Sequence, residues 1–234
     1  MTGHPAGQAL LEIAAKRTSP EALEWLKRGL PEPGGELDRP TFFGRFAGVT
    51  RRVGANKAPW TEAEAAALRE LGVLDPSVWS LGDVTRAGLL LVALAVLPAD
   101  AHVPFATEIF RRGETAERVG LLRSLCLLPD APRFKELAAE ACRSHVQDVL
   151  EALFCENAFV AAHSDELAFN QVIMKAMFVG IPLARIPGWE SRVNAELLRM
   201  SQDFAAERRA AGRPVPDDVV RIADVAQRGV AARN

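Results

Sequence analysis

The chain has 234 residues, 49% of them hydrophobic, enough to bury a substantial core as one domain. Lysine plus arginine total 28 against 30 aspartate plus glutamate, a formal net charge of −2. That balance excludes a general polyanion binder, and no basic run is long enough to anchor on acidic lipid. Cys126, Cys142 and Cys155 are widely spaced inside apolar helical patterns, which reads as ordinary buried thiols in a reducing compartment.

The start, MTGHPAGQALL, has no basic segment followed by an apolar one, so no secretion signal is expected. The longest apolar run, 87–97, is too short to span a bilayer and ends at Pro98. The expectation is a cytoplasmic protein that is not itself transmembrane.

In chain order, residues 8–17 read as a short amphipathic helix. Ser19 then caps a second helix that carries Pro20 at its first position. Pro31-Glu32-Pro33-Gly34-Gly35 reads as a surface loop. Residues 39–53 form a helix with Phe42, Phe43, Phe46 and Val49 inward; Gly44 and Gly48 would let a neighbouring helix approach closely. Thr61 and Glu64 make a capping box for a helix that Gly72 ends, and Asp75-Pro76 opens a short turn containing Trp79.

The middle of the chain is repetitive. Thr85-Arg86-Ala87-Gly88-Leu89-Leu90 aligns with Glu117-Arg118-Val119-Gly120-Leu121-Leu122, so the two glycines lie 32 residues apart, while Pro98 and Pro129 lie 31 apart. Each block continues into a second helix, over 103–112 and 132–143, and a third block opens near Val146. Stacked helical hairpins of this period characterise α-solenoids of the HEAT or tetratricopeptide kind; the alternative is a compact irregular helical bundle. No stretch alternates as a strand would, so the fold class is all-α. The expected organisation is one helical domain over 1–216. It comprises an N-terminal subregion 1–80, repeat-like pairs over 83–180 and a terminal helix 194–212, with a C-terminal helix or tail over 217–234.

The most informative stretch is 155–189. Ser164 is placed to cap a helix with Asp165 and Glu166 in its first turn. From 167 to 179 that helix is apolar on almost every side, which predicts burial. It nonetheless carries Asn170, Gln171 and Lys175 in one sector with Leu167, Met174 and Phe178. Leaving a buried polar group unpaired costs roughly 1–3 kcal/mol, so this sector is either an internal polar network or a lined pocket. Lys175 would snorkel, pair with Glu156, Asp203 or Glu207, or act chemically with a lowered pKa. Asn194 then caps a last clear helix with Glu196 in its first turn. Arg208 and Arg209 lie in its last, and Gly212 and Pro214 follow. Arg199, Glu196, Asp203 and Glu207 form a solvated lattice on its outer face. A further helix over 217–227 precedes a fraying end, RGVAARN.

Metal and catalytic signatures are thin. The histidines are scattered, with no HExxH or CxxC, and Cys142 with His145 is the one ligand-like pair, without a second half. Phosphate loops and GxSxG are absent. Cys155-Glu156-Asn157 suggests a nucleophile's surroundings only superficially, and the tryptophans read as packing residues. No catalytic residue, metal or cofactor is assigned.

A family resemblance rests on these and later residues. Cys155-Glu156-Asn157, Phe169-Asn170-Gln171, Lys175-Ala176 and Phe178-Val179-Gly180 look like the EboA family. So do Arg192-x-Asn194-x-Glu196-Leu197-x-Arg199-Met200, Asp203-Phe204, and Glu207-Arg208-x-Ala210-Ala211-Gly212-Arg213-x-Val215-Pro216. The likeness is densest over 150–216. It implies a cytoplasmic component of bacterial ebo gene clusters, linked to making or moving a secondary metabolite or its precursor. The partners it implies are other proteins of the cluster, a membrane prenyltransferase-type protein among them. Our leading expectation is a non-catalytic helical adaptor that binds a partner protein or a small polar metabolite, with no nucleic acid. Its candidate binding residues are Glu156, Asn157, Asn170, Gln171, Lys175, Arg185 and Asn194. The competing expectation is an enzyme acting on a cyclitol- or sugar-like substrate through Lys175 or Glu156.

Overall fold

The computed structural model describes residues 4–28, 30–31, 35–54 and 59–231. Thirteen α-helices and several 3-10 turns make up its regular structure, and no strand occurs among the described residues. The expected loop at 31–35 falls largely outside them, as do the last three residues of the expected frayed end. The helices group into two units, 1–141 and 142–234.

The first unit holds α1 (Pro5–Ala15), α2 (Pro20–Lys27), α3 (Arg39–Arg52), α4 (Glu62–Glu70), α5 (Leu81–Val96), α6 (His102–Arg112), α7 (Thr115–Ser124) and α8 (Lys135–Ala141). It gathers around α5, against which α1, α3 and α7 all pack. That arrangement explains why every residue of α5 from Leu81 to Leu94 is buried, including the apolar run that begins at Ala87. Ser80 and Asp83 form a capping box at its start: the Asp83 amide donates to Ser80 Oγ at 3.0 Å and the Ser80 amide to Asp83 Oδ2 at 2.8 Å.

The paired glycine blocks of the sequence correspond to α5 and α7, and each glycine marks a close approach. A Cβ at Gly88 would lie 2.7 Å from Leu11 Cγ and 3.1 Å from the Gly7 carbonyl, so α1 crosses α5 at this point. A Cβ at Gly120 would lie 2.8 Å from Cδ of Arg86, whose guanidinium is buried between the helices. Arg86 Nε donates to the Phe46 carbonyl at 3.1 Å and Nη2 to Thr50 Oγ1 at 2.7 Å, which binds α5 to α3.

Several local expectations hold. Ser19 Oγ accepts from the Ala22 amide at the start of α2, and the Thr61–Glu64 box is complete in both directions. Arg17 reinforces that box, with Nε 2.7 Å from Glu64 Oε1. Phe42, Phe46 and Val49 face inward from α3, while Phe43 is half-buried. The two α3 glycines differ. A Cβ on Gly48 would meet the Trp25 ring at 2.6 Å, whereas a Cβ on Gly44 meets nothing within 4 Å.

The second unit holds α9 (Gln147–Phe154), α10 (Phe159–His163), α11 (Glu166–Val179), α12 (Ala195–Ala210) and α13 (Asp218–Ala231), with 3-10 turns at Leu183–Arg185 and Glu190–Arg192. α11 packs on α9 and α12, and α13 returns along α12, where Val219 and Ile222 are buried. Gly180 ends α11 with φ +79°, a left-handed conformation that favours glycine.

Two expectations about α11 need correction. Its cap is Asp165, whose Oδ1 accepts from the Ala168 amide at 2.8 Å; Ser164 instead follows α10 as that helix's C-terminal flank. Nor is the helix buried all round. One face, including Phe169, Val172, Ile173, Ala176 and Met177, is inside, but Leu167 is 61% exposed and Phe178 71% exposed. The stripe that pattern reading placed in the interior is largely a surface stripe.

Two outcomes test this packing. Gly44→Ala should stabilise the chain by about 0.5–1 kcal/mol through helix propensity alone. Gly48→Ala on the same helix should destabilise it by about 1–3 kcal/mol, because the Trp25 ring has to move; chemical denaturation measures both. The second outcome concerns acid. Hydrogen bonding to Arg17 holds the Glu64 carboxyl down at about 2, against an ordinary 4.5. A carboxyl whose pKa is lower in the folded state stabilises the fold above its unfolded value. Glu64's contribution should therefore fade as pH drops from about 4.5 towards about 2, and Glu64→Gln should flatten that part of a stability-versus-pH curve.

Candidate functional site

All seven candidate residues lie in the second unit, where they fall into two joints and one exposed strip. The first joint begins where α9 ends. Glu156 adopts a left-handed backbone (φ +50°), unusual for a residue with a side chain, and its amide donates to the Arg185 carbonyl at 2.9 Å. Arg185 answers with a fork: Nε to Glu156 Oε1 at 2.9 Å and Nη2 to Oε2 at 3.0 Å. Its third nitrogen, Nη1, donates to Glu151 Oε2 at 2.7 Å. Such bidentate, charge-assisted geometry is among the stronger polar contacts available to a side chain. Hydrogen bonding to Glu156 above all, and then to Glu151, pushes the Arg185 pKa up.

Asn157 is buried beside this fork and serves the backbone. Its Oδ1 accepts from the Phe159 amide at 3.0 Å, opening α10, while its Nδ2 donates to the Ala152 carbonyl at 3.0 Å. One amide therefore joins the end of α9 to the start of α10.

The second joint is a reciprocal amide pair. Asn170, only 1% exposed, donates through Nδ2 to Asn194 Oδ1 at 3.2 Å, and Asn194 Nδ2 returns a bond to Asn170 Oδ1 at 2.9 Å. The same Asn194 oxygen accepts the Leu197 amide at 2.8 Å, making it the cap of α12 as the sequence indicated. Arg192 closes the joint. Its guanidinium donates to the carbonyls of Ala161 (2.7 Å) and Ser164 (2.9 Å) and lies 4.5 Å over the Phe169 ring.

Gln171 and Lys175 belong to neither joint. They stand with Leu167, Met174 and Phe178 on the outer face of α11, Gln171 exposed and Lys175 half-buried. Lys175 makes no ion pair among the described residues: Glu156 is engaged by Arg185, and Asp203 pairs with Arg199 at 2.6 Å. A cavity of about 260 Å³ in this unit lies between the end of α11 and the start of α13, lined by Met177, Pro182, Asp218 and Arg221 among others; none of the seven candidates lines it. The polar sector is thus split, one amide turned inward as part of a network and two groups turned outward.

Burial pushes the thiol of Cys142 up to about 11, partly offset by the positive charges of Arg143 and Lys175; burial likewise pushes Cys126 to about 11. Such thiols are poorly suited to nucleophilic work. Among the described residues no group of three or more His, Cys, Asp or Glu is placed to hold a metal ion.

The family described as metabolite traffic protein EboA matches residues 7–224. The chain belongs to this family. Comparison with curated proteins and with solved structures gave no match. The match extends the likeness, densest in sequence over 150–216, to nearly the whole chain and so takes in both units. Among the described residues no helix is long and apolar enough to cross a membrane.

Sequence reasoning missed Glu151 and did not assign Arg192 a role. Glu151 looks like any helix-surface acid. Arg192 works on backbone carbonyls, which carry no residue identity to read. Its one signal was its place two residues before the Asn194 cap.

If the amide pair is structural, Asn170→Ala should cost about 1–3 kcal/mol by stranding its partner. A double-mutant cycle with Asn194→Ala should show a coupling of about 0.5–3 kcal/mol. Simple additivity in urea denaturation would show that the pair is not an energetic unit.

Proposed function

We propose that this EboA-family chain is a non-catalytic helical adaptor of metabolite traffic, which engages a partner protein of the same gene cluster through the outer strip of α11. The observation that carries the reading is the company Lys175 keeps. An ammonium without an ion-pair partner among the described residues stands between two large exposed side chains, Leu167 and Phe178. A phenylalanine left 71% exposed forgoes burial worth about 1.5–3 kcal/mol unless something else covers it. Apolar anchors flanking one charge match a helical partner that offers an apolar groove and an acidic residue. The strip is a helix face whose residues line no described cavity, which favours a partner protein over a small polar metabolite for this sector. The membrane prenyltransferase-type protein implied by the family resemblance is the first partner to try, and a cytoplasmic location fits that role.

The enzyme reading, with Lys175 or Glu156 acting on a cyclitol- or sugar-like substrate, finds less support. Glu156 is occupied by a bidentate arginine, which leaves it poorly placed to take a proton.

Capture of cluster proteins by the purified chain tests the proposal. Phe178→Ser and Lys175→Glu should each weaken capture by about thirtyfold, the scale of an interface hot spot, while leaving the melting temperature unchanged. Unaltered capture removes the strip from the function. Turnover of a cluster metabolite that Lys175→Ala abolishes removes the adaptor reading altogether.

A further inference from the structure

We infer that the first unit carries a binding site for a small neutral polyol, a ring bearing neighbouring hydroxyls, in the cavity between α4 and the 3-10 turn Pro76–Val78. The inference does not depend on the role given to α11. The cavity measures about 450 Å³, within the range of roughly 300–1,000 Å³ typical of small-molecule sites, and its walls include Trp60, Glu62, Ala65, Arg69, Asp75 and Ser77.

Trp60 is held in place before any ligand arrives. Its Nε1 donates to the carbonyl of the buried Trp79 at 3.2 Å, so the indole's polar group is already used. Arg17 lies 5.1 Å over the ring, fixed in turn by Glu64 and by the Pro59 carbonyl at 3.0 Å. Arg17 does not line the cavity, whereas Trp60 does. What it offers there is a rigid aromatic surface.

The polar walls decide the ligand class. Asp75 Oδ1 accepts from the Ser77 amide at 2.9 Å, and its Oδ2 has no partner among the described residues. Arg69 Nη1 reaches Glu62 Oε1 at 3.3 Å, leaving its other donors without a protein acceptor there. Carboxylates only accept, a guanidinium only donates, and a serine hydroxyl does both. A phosphate is an anion and would be repelled by the carboxylates of Glu62 and Asp75. An ammonium donates only and would satisfy the carboxylates while meeting the charge of Arg69. A hydroxyl both donates and accepts, so a ring of adjacent hydroxyls can satisfy all three kinds of group while its C–H face packs on Trp60.

Two-dimensional NMR of the tryptophan side chains in the 234-residue chain provides the test, with the Trp60 indole signal assigned from Trp60→Phe. Titration with myo-inositol or D-glucose should shift that signal and saturate with a Kd on the order of 1 mM. The Trp25, Trp79 and Trp189 signals should move less. Asp75→Asn keeps the Oδ1 acceptor for Ser77 and should weaken binding about tenfold with an unchanged melting temperature; Arg69→Met should do the same. No saturable shift with either polyol overturns the site. A stronger response to ethylammonium, or to inorganic phosphate, overturns the ligand class. Phe178→Ser and Lys175→Glu should leave this binding intact, so the outcome is separable from that of the α11 proposal.

Discussion

The amide of Asn170 has to be satisfied, and the second unit is arranged so that it is. The side chain is buried, like Met177 two turns further along α11, and finds its partner in Asn194. Because Asn194 also caps α12, one pair of side chains fixes both the rotation of α11 and the start of its neighbour. Turning α11 to cover Phe178 would pull Asn170 away from its partner and bring the face of Phe169, Ile173 and Ala176 towards water. Two exposed apolar side chains forgo less than that larger face would lose, at roughly 25 cal/mol per Å² of apolar surface. The surface strip is therefore a consequence of how the helix satisfies its interior.

The first unit depends on a comparable constraint of opposite character. Arg86 is buried to 2% exposure with a backbone carbonyl and a threonine hydroxyl as its hydrogen-bond partners. Burial pulls its pKa down, and the nearby charges of Asp83 and Glu117 pull it back up. A buried cation of this kind tolerates little change around it, because a displaced guanidinium in an apolar interior is expensive. Gly120 supplies the space for its stem, which gives a packing reason for the glycine in the second repeat block. The first-block glycine faces α1, so the same sequence pattern serves two different contacts.

Local chemistry made much of this readable in advance. The caps at Ser19, Thr61 and Asn194 depend on residues three or fewer positions away, and they stand as expected. Asp165 took the place given to Ser164 because the two adjoin and either can cap; the chain path out of α10, where Arg192 binds the Ser164 carbonyl, selects between them. The sector of α11 could be drawn from the sequence, but its division could not, since the partner that turns Asn170 inward lies 24 residues away. Glu156 and Arg185 both stand among the sequence candidates, while the fork between them depends on a left-handed turn at Glu156 that composition does not announce. The cavity beside Trp60 has no sequence signal, because its residues are spread over 59–77 and form no recognisable motif.

The central claim is that Phe178 and Leu167 stand in water until a partner covers them. Hydroxyl-radical footprinting with mass spectrometry measures this directly on the chain, alone and with the membrane prenyltransferase-type protein proposed as its partner, in detergent. Strong labelling of Phe178 in the free chain, low labelling of the buried Phe169 and protection of Phe178 once the partner is added are the expected result. Weak labelling of Phe178 in the free chain, or labelling that an associated partner leaves unchanged, would contradict it.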